Sequence, residues 1–244
     1  MPLSNSHLAA PINDGTSAVS ADPSDYLASS YYVDHDSAAV RDFVARHVPV
    51  DGTVQQRAIA LFYAVRDKIR YNAYAASLDA RDYRASKTIE SAEGWCVPKG
   101  VVMTACARAI GIPARPGYAD VRNHLSTQNL LDMLGTDIFA YHGYVELWIN
   151  DAWVKATPVF NIELCEKFGV AAQEFDGSAD CLFQEFDQAG RRHMEYLRDR
   201  GAYTDLPLTE ILADFAARYP KWIEAIREGM RGDLMSEAAE HGSG

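Results

Sequence analysis

From residue 36 onward the apolar positions recur at helical spacing. Val40, Phe43, Val44 and His47 share one face behind a capping Asp36 or Ser37, and Pro49 stops the run. A second helix follows Asp51-Gly52-Thr53, with Ala58, Ile59, Phe62, Val65 and Ile69 on its buried face and its end near Tyr71-Asn72. Residues 73 to 93 lose the period and are expected to be looped, tied down by Tyr74, Tyr83 and a short segment at Ile89. The next helix starts at Gly94-Trp95-Cys96-Val97-Pro98 and runs to Ile110, where Gly111 supplies a left-handed stop and Pro113 prevents continuation. Its body is apolar nearly all round, which marks a central, buried helix.

After Pro113 the period changes to two. Ala114 to Val121 is expected to be a strand. Tyr141 to Ile149 alternates, with Gly143, Val145 and Leu147 on one side and His142, Tyr144, Glu146 and Trp148 on the other. Asn150-Asp151 makes a turn, and Trp153 to Thr157 returns as the partner strand. A further hairpin is expected from Leu182–Phe186 and Arg192–Leu197, then a helical stretch from Leu208 to Glu228 interrupted at Pro220, and a frayed tail from His241. Helices first, strands next and helices again give an α+β class.

Composition narrows the functions. Met1 to Ser24 is Ser-, Asn- and Asp-rich without apolar period, so it is expected to be a flexible arm, with residues 25–244 as a single domain. That arm lacks the basic start and apolar run of a secretory signal, and no apolar run approaches the ~20 residues of a membrane helix. A cytoplasmic location and no membrane partner are therefore expected. The net charge of −11 repels phosphate backbones, and the densest basic stretch, Arg191 to Arg200, also carries Glu195 and Asp199. No nucleic-acid partner is expected. The four cysteines, Cys96, Cys106, Cys165 and Cys181, lack zinc-finger spacing, so neither metal nor disulfide framework is implied.

Among those thiols Cys96 is distinctive because it opens the buried helix. Free N–H groups and the positive dipole end favour thiolate there, drawing the pKa below its ordinary ~8.5, and can hold an oxyanion. Gly94 permits close backbone approach and Trp95 can wall off water. An inert packed thiol is the alternative, and it is the expectation for Cys106, Cys165 and Cys181. A thiolate nucleophile needs a proton acceptor close in space. Of seven histidines, His142 opens the best-patterned strand, 46 residues after Cys96. His7 and His241 lie in tails, His35 and His47 in the amphipathic N-terminal part, His124 in a polar loop and His193 in a strand.

Gly94-Trp95-Cys96 at a helix start, then Tyr141-His142-Gly143-Tyr144-Val145-Glu146-Leu147-Trp148, then Trp153-Val154-Lys155-Ala156-Thr157-Pro158, resembles the transglutaminase-like superfamily, in its bacterial, single-domain type. The likeness covers about residues 61 to 161, including Arg66-Asp67-Lys68-Ile69-Arg70-Tyr71 and the Gly111-Ile112-Pro113-Ala114-Arg115 exit. It implies a papain-like fold in which N-terminal helices and a central buried helix pack on an antiparallel sheet, with a C-terminal helical extension. It also implies a Cys–His–Asp triad in which Cys96 is the nucleophile and His142 the general base and acid. The family places Asp before the Pro of the second strand, where this chain has Thr157. Thr157 or Asn161 is left to orient the imidazole, with Asp120 and Asp176 as alternatives from neighbouring segments. Glu146 shares the His142 face but lies four residues along, ~13 Å at strand rise.

The polar cluster Asp120-Val121-Arg122-Asn123-His124 is suited to anchoring an anionic or amide group, or else is a solvated loop. Tyr118, Trp148 and Phe160 are candidates for an apolar wall. The expected function is acyl transfer or hydrolysis on a small-molecule amide, ester or peptide-like substrate through a Cys96 thioester, without cofactor. The same pair serves C–C cleavage or isomerisation, since a thiolate also adds to ketones and activated alkenes. Thr157 in place of the acid favours a different class, an inactive member of the fold that binds a ligand or partner. Oligomeric state is not legible.

Overall fold

A computed structural model describes residues 20–124, 126–182 and 185–241. Most of the expected arm lies outside those residues. Its last part does not: Pro23–Leu27 is a 3-10 helix capped by Asp22, and it buries Tyr26. The first two helices form as their patterns and caps dictate. Helix α1 (Ala38–His47) starts where Ser37 accepts the Val40 N–H. Helix α2 (Val54–Lys68) starts at a capping box in which Thr53 and Gln56 each accept the other's backbone N–H.

Helix α2 stops earlier than its apolar pattern predicts, because β1 (Arg70–Tyr71) leaves it to pair in parallel with β2 (Glu93–Gly94). The expected loop between them holds a 3-10 helix, Ala80–Tyr83, and α3 (Ala85–Ser91). A seven-residue helix without a side-chain cap carries too little period to be read from sequence.

Helix α4 (Cys96–Ala109) is the centre of the fold, and every side chain from Cys96 to Arg108 is buried. Two of those side chains are cations, so each must find fixed partners. Lys99 donates from Nζ to the carbonyls of Arg66 and Ile69, closing the C-terminal end of α2, and burial draws its pKa down to about 7. Arg108 donates to the carbonyls of Ala114, Ala28 and Thr204, tying the exit of α4 to both ends of the described chain. Gly111, at φ +76°, ends the helix as expected.

The sheet runs in the order β5-β4-β3-β6, antiparallel throughout. Strand β3 (Ala114–Asn123) is followed by α5 (Gln128–Leu134), β4 (Ile138–Ile149) and β5 (Ala152–Ala156). Asn150 and Asp151 turn β4 into β5 with φ of +51° and +62°, the signature of a type I′ hairpin. After α6 (Ile162–Phe168) the chain returns as β6 (Met194–Ala202) along the far edge of β3. Of the expected hairpin, residues 183 and 184 lie outside the described residues; the described part shows one bridge, Phe186 to Arg192, and residues 194–202 find their partner in β3. Helices α7 (Leu208–Arg218), α8 (Pro220–Arg227) and α9 (Leu234–His241) complete the chain. The last reaches into the segment expected to fray. Among the described residues no helix is long and apolar enough to cross a membrane.

One contact sets the distance between helix and sheet. A Cβ on Gly143 would stand 2.8 Å from the Cys96 carbonyl oxygen and 3.1 Å from its carbon. Only glycine lets β4 lie against the first turn of α4. Gly143→Ala should therefore lower unfolding free energy by about 1–3 kcal/mol, the usual result of overpacking. Urea unfolding read by tryptophan fluorescence checks this; an unaltered midpoint would mean the two elements can separate freely.

Candidate active site

Cys96 is the first residue of α4, and the cap before it, Trp95, makes no side-chain hydrogen bond to the helix end. The backbone N–H groups of Gly143, Val97 and Cys96 itself therefore act on the sulfur, and each favours thiolate. Burial outweighs them and pushes the thiol up to about 12. This corrects the expectation of a lowered thiol pKa: the helix start contributes as expected, but the site has too little water for the charge.

His142 follows the same logic. It is buried, and desolvation pushes its imidazole down to about 3, with His193 opposing its charge and a Gly143 backbone hydrogen bond supporting it. The resting pair is an uncharged thiol and an uncharged imidazole. Strand β4 bulges immediately before this residue. Ala119 pairs with His142 but Val121 pairs with Phe139, so β4 carries one extra residue, and Tyr141 sits at φ +53°. Bulges of this kind re-aim the next side chain. Asp120 accepts the Tyr141 N–H at 3.2 Å and is itself clamped by Arg200 at 2.6 and 3.0 Å, while the guanidinium lies 3.9 Å from the Tyr141 ring centre. Asp120 thus positions the bulge and lines neither of the two cavities at His142, in contrast to its expected role on substrate.

Two adjoining cavities meet at His142. One encloses about 460 Å³ of non-protein space, partly open to solvent, and is lined by Cys96, His142, Trp95, Phe215, Tyr219 and Trp222 among others. The second, about 510 Å³, is lined by His142, His193, Asn123, Ser126, Thr127 and Phe160 among others. They share Tyr71, Leu130, Phe139 and His142. Among the described residues no Asp, Glu, Lys or Arg side chain lines either one. Strand pairing explains the arrangement: β5 pairs with β4 no further than Val145–Ala156, which leaves the edge at His142 open.

Of the sequence-derived candidates, the structure gathers Cys96, His142 and Trp95 at the first cavity and brings Asn123 and Phe160 to the second. It does not bring Asn161 to the imidazole. The Asn161 amide accepts the Tyr71 N–H at 3.1 Å and donates to Glu163 at 2.7 Å, pinning the chain beyond β5 to β1. Thr157 is buried, and its hydroxyl makes no hydrogen bond among the described residues, so it does not hold His142 in this geometry. Glu146 is bound by Arg115 at 2.5 Å, and Asp176 accepts from Ser178. Arg122 pairs with Asp137 and Glu195, His124 lies 3.4 Å from Glu195, and both face solvent in part. Tyr118 packs on Tyr141 and Tyr203, and Trp148 on Trp153, away from either cavity.

Sequence reasoning missed His193, Ser126 and the aromatic side chains of α7 and α8. His193 is buried, and desolvation pushes it down to about 4, opposed by Asp187. Phe160 lies between the two imidazoles, 6.4 Å from His142 and 6.2 Å from His193, centre to centre. A strand position next to charged residues carries no signal for this; only the return of the chain along β3 makes it. Among the described residues no group of three or more His, Cys, Asp or Glu is placed to hold a metal ion.

The sequence profile of the Transglutaminase-like superfamily matches residues 41–158, from α1 to the residue after Thr157. Cys96, His142 and Thr157 fall inside the match, and His193 and the α7–α8 aromatics outside it. A solved structure entitled a "Putative Cysteine Protease" from Cytophaga hutchinsonii is similar at 17% identity and a TM-score of 0.43, over 57% of this chain and 43% of that one. No curated protein matches.

The two buried histidines make stability depend on pH. Unfolded imidazoles titrate near ~6.5, above both folded values. As pH falls from about 6.5 towards 4, the unfolded chain binds protons that the folded chain refuses, so stability falls by up to about 1.4 kcal/mol per pH unit per imidazole. Urea unfolding at pH 7, 5.5 and 4.5 should show this slope, and His193→Gln should flatten it. Parallel slopes for the two proteins would mean His193 titrates normally in the fold.

Proposed function

We propose, for a chain that belongs to the transglutaminase-like superfamily, that it is a cysteine enzyme transferring or hydrolysing the acyl group of a small amide, ester or peptide-like substrate. The observation that carries this reading is the seat of Cys96. The thiol opens α4 under the N–H groups of Gly143 and Val97, and His142 lines the same cavity.

Each step uses groups already in place. The uncharged imidazole takes the thiol proton as the sulfur forms its bond to the substrate carbonyl carbon, so charge appears only in the transition state. The N–H groups at the start of α4 are donors for the resulting oxyanion. His142 then returns its proton to the departing nitrogen or oxygen, that bond to carbon breaks, and the acyl group remains on Cys96 as a thioester. Water or a small amine, deprotonated by His142, attacks the thioester, and the sulfur leaves with the proton restored. Among the described residues no carboxylate lines the cavities to support imidazolium, and this supports a second reading, a binding member of the fold without turnover.

Exposure to p-nitrophenyl esters separates the two. Catalysis predicts one equivalent of acyl adduct on Cys96 by intact mass and peptide mapping, followed by turnover. It also predicts loss of acylation in Cys96→Ala and a fall of about 10²-fold or more in His142→Ala, the usual contribution of a general base. Acylation that persists in Cys96→Ala would remove the thiol from the mechanism and leave the binding reading.

A further inference from the structure

The two cavities differ in what they can reach. The first contains both reacting groups, and the second meets His142 without Cys96. In acyl transfer through a thioester the sulfur keeps the acyl group, while the imidazole delivers a proton to the leaving group and later accepts one from the acceptor. A space that touches both is where the acyl group rests. A space that touches only the imidazole is where the leaving group departs and the acceptor arrives.

The linings differ accordingly. Around Cys96 the wall is Trp95, Phe215, Trp222 and Tyr219, and the Tyr219 hydroxyl is already spent, donating to the Ile138 carbonyl and accepting from the Ala140 N–H. Beside the thiol, the imidazole, the Tyr71 side chain with its hydroxyl, and the Trp95 indole N–H, which has no partner among the described residues, this wall is apolar. The opposite cavity is lined by His193 and Ser126, residues only 5% and 7% exposed, whose Nδ1 and hydroxyl are buried without partners among the described residues. Buried polar groups are ordinarily paired, so a cavity lined by two open ones is built to be paired by what enters it. Among the described residues neither wall offers a charge to balance one on the ligand.

We propose that the cleft sorts an acyl donor into two halves: an aromatic or branched aliphatic acyl group against Trp95, Phe215 and Trp222, and an uncharged leaving group whose hydroxyl or amide is read by His193 and Ser126. This rests on the thioester reading above. It adds that the substrate carries no charge on either side of the scissile bond, and that Phe215 and Trp222 on one side and His193 on the other, all beyond the family-matching residues 41–158, share the selectivity with Trp95 and Ser126 inside them.

The test uses the full chain and follows Cys96 acylation by mass alongside kcat/KM. Of the p-nitrophenyl esters, phenylacetate should exceed acetate by about tenfold or more, the range a filled apolar pocket provides, and the anionic hemisuccinate should fall below acetate. Trp222→Ala should collapse the phenylacetyl-to-acetyl ratio towards one. Trp222→Leu, with a thermal melt for each variant, covers the case in which the alanine variant does not fold. On the other side, His193→Ala and Ser126→Ala should reduce kcat/KM for N-phenylacetyl-glycinamide about tenfold more than for p-nitrophenyl phenylacetate, whose leaving group offers neither hydroxyl nor amide. Equal acylation by acetyl and phenylacetyl esters, or an unmoved amide-to-ester ratio, overturns this inference and leaves the thioester reading standing. No acylation of Cys96 by any ester takes both away.

Discussion

The seat of the first turn of α4 on β4 is the constraint from which the rest of the site follows. With no side chain at Gly143, the strand backbone lies against the Cys96 carbonyl, and a Gly143 N–H comes within reach of the thiol. That approach puts Cys96 and His142 into one cavity. The same closeness removes water, which is why the thiol is pushed up and the imidazole down. Proximity and desolvation are two consequences of a single packing event, and they pull the chemistry in opposite directions. The helix end favours charge on sulfur, the dry surroundings disfavour it, and in the resting site the dry surroundings win.

Around that seat the buried cations act as fasteners. Lys99 and Arg108 leave the buried helix to bind carbonyls of α2, β3 and two distant segments, so the position of α4 is set at both ends. A separate ion pair, Arg200 with Asp120, secures the bulge in β4 that precedes His142. The carboxylate looks catalytic when only its neighbours in the sequence are considered, and its geometry makes it a support for the backbone beside the histidine.

Much of the fold is legible in the pattern of residues. The α1 and α2 starts announce themselves through caps, α4 through an apolar run between Pro98 and Gly111, and the β4–β5 turn through Asn150-Asp151. These signals are local, set by hydrogen bonds and steric preferences within a few residues. The elements that escaped are of two kinds. Helix α3 is too short for a period to show, and β6 pairs with a strand more than seventy residues earlier in the chain, a choice made by the exposed edge of β3 and not by residues 194–202 themselves.

The site divides along the same line. The sequence by itself singled out Cys96 and His142 as the candidate pair, through a cysteine at the start of a buried helix, a histidine opening an alternating strand, and the resemblance of both segments to the transglutaminase-like superfamily. It also determined that Thr157 stands where an acid is expected. The tertiary structure alone decided the protonation of that pair, since desolvation depends on everything packed around it. It also decided that the Asn161 amide is engaged elsewhere, that Asp120 faces Arg200, and that His193 and the aromatic residues of α7 and α8 complete the walls of the cleft. Each of these depends on which distant segment comes to rest beside the pair, and no residue records its distant neighbours in its own local pattern.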